Sequence, residues 1–157
     1  MRLRTLLPQD SLHLADLLAR IPTFDAEDRA VAIELVKQAI RNPDQKDYDF
    51  IVAASAAGSV IGYICFGPTP LTYGTYDLYW IAVHHDARGK GIGKQLHAQS
   101  ETCIAARGGK RVYIETASRE QYEPTRGFYR ACGYREEAVL EDFYAPGDGK
   151  VIYVKAL

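Results

Sequence analysis

The stretch Leu78-Tyr79-Trp80-Ile81-Ala82-Val83-His84-His85-Asp86-Ala87-Arg88-Gly89-Lys90-Gly91-Ile92-Gly93-Lys94-Gln95-Leu96 limits what this chain can fold into more than any other. It opens on an apolar and aromatic run that ends in a β-branched residue, the pattern of a buried strand. A short polar turn follows, then Gly89, Gly91 and Gly93 at alternate positions beside Arg88, Lys90 and Lys94. Beyond Gly93 the spacing becomes helical. Such an arrangement sets the free N–H groups and partial positive charge of a first helical turn at the end of a strand. An anion fits there, phosphate above all. Glycines remove the Cβ atoms that hold a phosphate away from backbone, and the three cations add positive potential. The same glycines also suit a tight strand-to-helix turn without a ligand.

Two phosphate signatures fail. A P-loop closes its glycine run with Lys and Ser or Thr, whereas Lys94 is followed by Gln95. A dinucleotide fingerprint needs a third glycine where Leu96 stands. The run Arg88-Gly89-Lys90-Gly91-Ile92-Gly93, preceded by Ile81-Ala82-Val83, instead resembles motif A of the GNAT superfamily of N-acetyltransferases, Arg/Gln-x-x-Gly-x-Gly/Ala. The resemblance implies that the ligand is acetyl-CoA, a cosubstrate, with its pyrophosphate on Arg88, Gly89, Lys90, Gly91, Ile92, Gly93 and Lys94. A second segment, Phe128-Tyr129-Arg130-Ala131-Cys132-Gly133-Tyr134, matches the family later in the chain.

Length and composition agree with a single acetyltransferase domain over residues 1–157. The net charge of −1 excludes a global basic field, and no second basic stripe accompanies Arg88, so no nucleic-acid partner is expected. Cys65, Cys103 and Cys132 are far apart and form no Cys/His cluster, so no metal is expected and reduced thiols in a cytoplasmic protein are. No run is long enough for a membrane span, and the start of the chain carries no apolar segment of signal-peptide type.

Taken in order, residues 2–7 alternate weakly as a first strand. Leu12, Leu14, Leu17, Leu18 and Ile21 mark one helix; Ala32, Leu35, Val36, Ala39 and Ile40 mark a second, stopped at Asn42-Pro43. Residues 50–56 and 60–67 form a hairpin about Ala57-Gly58, and residues 76–83 form the central strand. A helix over 89–107 stops at Gly108-Gly109, and a strand follows over 111–116. Residues 118–131 read as a helix with Pro124 in its first turns or marking its true start, and strands over 134–144 and 150–156 flank a turn at 145–149. The order is β-α-α-β-β-β-α-β-α-β-β, a mixed α/β (α+β) fold. With the resemblance it implies the GNAT fold, a central twisted mixed sheet of about seven strands with four helices. The strand–helix–strand unit implies a parallel pair, with the ligand outside the carboxyl ends near Val83 and Thr116. The family implies that the connector of the first two helices, near residues 20–28, borders the acceptor pocket.

Acetylating an amine requires a proton acceptor for the ammonium, a donor for the developing oxyanion and a stabiliser for the departing thiolate. The resemblance implies that Asp77 is the base, or alternatively that it binds the acceptor ammonium. Tyr79 shares its face by alternation and either holds acceptor or water or makes a cross-strand contact. Glu115 either faces the acceptor or pairs with a surface cation. The family implies a β-bulge near Ile81 or Ala82 that frees an amide, with Ile81, Ala82 and Val83 pairing to the pantetheine like an added strand. It also implies that Tyr129 reaches the sulfur, since a phenol of pKa about 10 lies close to a thiol of about 8.5. This chain departs from the family at Tyr122 and Thr125, where Asn and Ala are usual, and Arg126 either compensates at a CoA phosphate or is a surface charge. Acidic Asp77, Glu115, Glu141, Asp142 and Asp148 would favour a cationic amine, while Phe24, Tyr73, Tyr76, Phe143 and Tyr144 would line an apolar pocket. The leading expectation is acetyl transfer to a primary amine of a small molecule or peptide by direct attack in a ternary complex. The alternative is a non-catalytic acyl-CoA sensor. The last hairpin is a candidate surface for a homodimer.

Overall fold

The computed structural model describes residues 1–157. The chain runs β1 (Arg2–Thr5), α1 (Asp10–Ala19), α2 (Ala26–Arg41), β2 (Asp49–Ala54), β3 (Val60–Pro68) and β4 (Thr75–Val83). It continues as α3 (Ile92–Ala106), β5 (Arg111–Ala117), α4 (Glu123–Ala131), β6 (Arg135–Ala145) and β7 (Asp148–Ala156), with 3-10 turns at His85–Ala87 and Glu120–Tyr122. Seven strands and four helices appear in the expected order. The sheet order is β1-β2-β3-β4-β5-β7-β6. Only β4 and β5 pair in parallel, through the crossover helix α3; all other neighbours are antiparallel.

Period-two alternation divides the apolar residues between two faces. One face buries Ile64, Leu78, Ile114 and Tyr153 against Leu96 and Ile104 of α3 and Tyr129 of α4. The other buries Val52, Tyr63 and Ala82 against Leu14, Leu17 and Leu18 of α1 and Val36 of α2. α1 is tied to β1 by Arg4, which donates to both oxygens of the buried Asp10 at 2.6 and 2.8 Å. The start of α2 is fixed by a reciprocal cap: Asp28 N–H donates to Asp25 Oδ1, and Asp25 N–H donates to Asp28 Oδ2.

Two helices begin later than their sequence periodicity suggests. α3 starts at Ile92 rather than Gly89, because Gly89 and Gly91 take left-handed backbone angles of +73° and +76°. α4 starts at Glu123, with Pro124 in its first turn and a 3-10 turn ahead of it. The edge strand β6 exposes Val139, Leu140, Phe143 and Tyr144. All three cysteines are free thiols. No helix is long and apolar enough to cross a membrane.

Candidate active site

The parallel pairing of β4 with β5 stops at Leu78–Ile114. β4 nevertheless runs on to Val83 and β5 to Ala117. Past the last pair the two strands part. The edge of Tyr79–Val83 that faces β5 is therefore unpaired in the sheet, and of its outward groups Val83 O alone has a side-chain donor, Arg88 Nε at 3.2 Å. A cavity of ≈ 1360 Å³ occupies the gap, and Tyr79, Trp80, Ile81, Ala82 and Val83 all line it.

The glycine turn closes one end of this cavity. The first helical bond of α3 runs from Gln95 N–H to Gly91 O at 3.0 Å. That leaves the N–H groups of Ile92, Gly93 and Lys94 without an intrahelical acceptor, and Gly91 at the cap position offers no side chain to satisfy them. Arg88, Gly89, Gly91, Ile92, Gly93 and Lys94 line the cavity. Lys90 does not. Its Nζ bonds Asp86 O at 2.8 Å, because the two left-handed glycines turn residue 90 outward. The glycines also differ in purpose. Gly89 and Gly91 have open space where a Cβ would stand and are required by their backbone angles. A Cβ on Gly93 would lie 3.3 Å from the Phe128 ring, so Gly93 serves the packing of α3 on α4. Free N–H groups, a helix dipole and the cations Arg88 and Lys94 fit the pyrophosphate of a coenzyme A molecule.

The bulge in β4 lies earlier than the family resemblance implies. Cys65 pairs with Trp80 and Phe66 with Leu78, so Tyr79 is the extra residue, not Ile81 or Ala82. Two residues opposing one send both Tyr79 and Trp80 to the α1–α2 face. There Trp80 meets Phe24 edge-on at 5.2 Å and Tyr79 meets Tyr48 at 5.3 Å. Asp77 lies on this face too, accepting from Thr69 Oγ1 at 2.6 Å, and lines the cavity. Burial, then the nearby Asp77, push the Tyr79 phenol up to about 12, so it stays protonated at neutral pH.

Tyr129 lines the cavity from the opposite face. It is buried, with its ring among Phe128, Tyr134 and Tyr153. Burial, with a smaller push from Cys132, raises its phenol above the ordinary value. Arg126 is bonded within the protein. It does not line the cavity, because its Nη1 donates to Ala117 O at 2.6 Å and Arg119 O at 3.0 Å while Nε bonds Glu123 at 3.0 Å. One turn into α4, it satisfies carbonyls at the end of β5. Tyr122, where the family usually has Asn, instead donates its hydroxyl to Thr23 O at 2.8 Å and joins the start of α4 to the α1–α2 connector.

The end of the cavity away from the glycine turn assembles from several elements. The α1–α2 connector supplies Phe24 and Asp25, and the first turn of α2 supplies Glu27 and Asp28. Asp77, Glu115, Asp148 and Tyr144 also line the cavity, whereas Glu141, Asp142, Tyr73, Tyr76 and Phe143 do not. Glu115 is paired with Lys150 at 2.7 Å. Tyr113 and Arg119 escaped the sequence reading; for Tyr113, strand alternation with Ile114 was the available signal. The rings of His84 and His85 and the Asp86 carboxylate converge within 4.8 Å on the turn before α3.

A family model described as the acetyltransferase (GNAT) domain matches residues 46–136. No curated protein sequence matches at a significant level. A crystal structure assigned to the GNAT family, from Desulfovibrio desulfuricans, is 38% identical, covers 99% of this chain and 98% of its own, and superposes with a TM-score of 0.95. An aminoglycoside 6'-N-acetyltransferase complexed with coenzyme A is 21% identical, with 99% and 97% covered and a TM-score of 0.77. The ribosomal-protein-S18-alanine N-acetyltransferase from Escherichia coli is 14% identical, with 99% and 92% covered and a TM-score of 0.76. At these last two identities the likeness is one of fold. The parted strands, the glycine turn and the match over most of the chain make this protein a member of the GNAT acetyltransferase family.

Proposed function

We propose that residues 1–157 act as one catalytic domain that transfers the acetyl group of acetyl-CoA to a primary amine of a small molecule or peptide, by direct attack in a ternary complex. The observation that carries this reading is one cavity shared by two unlike ends. One end offers free helix N–H groups with Arg88 and Lys94; the other offers carboxylates and aromatic rings. A sensor of acyl-CoA needs only the first.

In this reading the turn Arg88–Lys94 holds the pyrophosphate, with Arg88 steadied by its Nε bond to Val83 O, and the open edge of Ile81, Ala82 and Val83 takes the pantetheine amides as an added strand. Lys90 and Arg126, engaged elsewhere, contribute at most long-range charge. The acceptor's nitrogen needs its lone pair to attack the thioester carbonyl. Asp77 takes that proton through water, since Thr69 already occupies one of its oxygens, and Tyr79 orients the water as a donor. As the carbon–sulfur bond breaks, Tyr129 donates a hydrogen bond to the thiolate. Its raised phenol pKa makes full proton transfer uphill, so hydrogen bonding is the larger part of its role. Three free thiols suit a reducing cytoplasmic setting.

The test is release of CoA thiol from acetyl-CoA by the purified chain with a panel of amines, with mass detection of the acetylated product. Amine-dependent release that falls at least tenfold in Asp77→Asn supports the reading. Tight acetyl-CoA binding with no acetylated product from any amine favours the sensor.

A further inference from the structure

One carboxylate at the acceptor end has a lone pair with nothing to bind. Asp148 is 6% exposed and lines the cavity. Its Oδ2 meets Arg119 Nε at 2.8 Å, but its Oδ1 is buried without a hydrogen-bond partner. A buried carboxylate oxygen left unbonded is destabilising, and in a site it marks the place of a missing donor.

The surroundings say which kind of donor. Outside the glycine turn, the charged residues that line the cavity are Asp25, Glu27, Asp28, Asp77, Glu115 and Asp148 against Arg119 alone. These charges converge: after burial, the causes that raise the Tyr144 phenol are Glu115 and Asp148, with Asp28 contributing. Tyr122 and Tyr144 add aromatic faces beside them, which attract an ammonium further. An anionic or neutral donor gains little there.

The sheet places the two carboxylates. Glu115 is the first β5 residue past the last pair with β4. Ser118 N–H bonds Gly149 O at 2.8 Å, and Gly149 N–H returns to Ser118 Oγ at 2.7 Å, which continues the β5–β7 register and sets Asp148 opposite Arg119, four residues beyond Glu115. The bridges Tyr122–Thr23 and Arg119–Asp148 cross this end of the cavity, and a folded protein acceptor would have to open them.

We infer that Asp148 anchors a second, non-reacting ammonium of the acceptor, so that the substrate class is a small polycationic amine. This rests on the acetyl-transfer reading above. The carboxylate is a specificity residue: it holds the substrate's far end and takes no part in the chemistry. Linear polyamines and aminosugars share this chemistry.

The experiment compares initial rates of thiol release for spermidine, 1,8-diaminooctane, kanamycin, 1-aminooctane and an alanine-initiated peptide, on the intact chain and on Asp148→Asn and Arg119→Gln. The inference predicts that a polyamine or kanamycin exceeds 1-aminooctane and the peptide at least tenfold in kcat/KM; the faster of the two identifies the source. Asp148→Asn raises KM for the polycation about 10- to 100-fold, leaves its kcat within threefold, and leaves 1-aminooctane unchanged. Arg119→Gln breaks the same bridge but keeps the anion, and so does not raise that KM. Equal losses in both variants would reduce Asp148 to a structural residue and overturn the inference. So would equal rates with 1-aminooctane or the peptide, although acetyl transfer would then stand. Thiol release with none of the amines would overturn both.

Discussion

Replacing Tyr129 with Phe separates the chemistry from the packing. The ring stays among Phe128, Tyr134 and Tyr153 at centroid separations of 5.7 to 6.3 Å. Loss of the hydroxyl alone should therefore change stability by no more than about 1.5 kcal/mol. In the proposed reaction the same hydroxyl donates to a developing thiolate. A hydrogen bond to a charged partner contributes about 1.5–3 kcal/mol, which corresponds to roughly a 10- to 150-fold loss in kcat. The loss belongs in kcat, because the thiolate exists only once the thioester begins to break. Burial raises the phenol's pKa, so the residue remains protonated to higher pH than a free tyrosine. The wild-type kcat should accordingly show no alkaline limb from Tyr129 below about pH 10. The assay is stopped-flow or steady-state thiol release at saturating amine, paired with thermal melts. A Tyr129→Phe protein that melts normally and keeps kcat within twofold would refute the role.

Gly93→Ala should lower the melting temperature by a few degrees, since its Cβ would stand 3.3 Å from Phe128 and crowding typically outweighs the gain of about 1 kcal/mol in helix propensity; acetyl-CoA affinity should stay within threefold because the N–H is kept, and a tenfold loss by calorimetry would mean that the phosphate site needs residue 93 to lack a side chain. His97, buried in α3 with its Nε2 3.1 Å from Tyr134 Oη, has its pKa lowered by burial, with Glu101 opposing and Lys155 assisting. A depressed folded pKa means that the unfolded chain binds the proton first. The stability is thus whole above about pH 6.5 and falls as acid is added, by at most about 1.4 kcal/mol per pH unit. Urea midpoints between pH 7 and 5 should show that slope in the wild type and lose it in His97→Gln; parallel slopes would contradict the assignment.

The regular elements were legible because their residues face one neighbour at a time. The hairpin of β2 and β3, the crossover through α3 and the final pair β6–β7 all follow from alternation, turn residues and order along the chain. The glycine turn was legible because phosphate binding and left-handed backbone both demand glycine. What escaped was set by partners far away in sequence. The bulge falls at Tyr79 because β3 and β4 lose register between Cys65 and Phe66, and nothing in the run Leu78–Val83 marks one aromatic residue as the extra one. Arg126 reads as a free cation until the helix start at Glu123 brings it to the carbonyls of Ala117 and Arg119. Gly93 reads like its two neighbours until Phe128 is packed against it. Tyr122 and Thr23 are 99 positions apart, a pairing that no local pattern encodes.

The most direct test of the account is a calorimetric titration of acetyl-CoA, and of CoA, into the intact chain and into Gly91→Glu. Residue 91 sits at a left-handed φ of +76° with open space around it, so the glutamate strains the turn's backbone and also places a negative charge at the free N–H groups of α3, without entering the core. The account predicts one-to-one binding by the wild type and at least a hundredfold loss in the variant, with far-UV spectra unchanged. Equal affinity in both proteins, or no binding by the wild type, would mean that the turn is structural and that the cavity takes some other ligand.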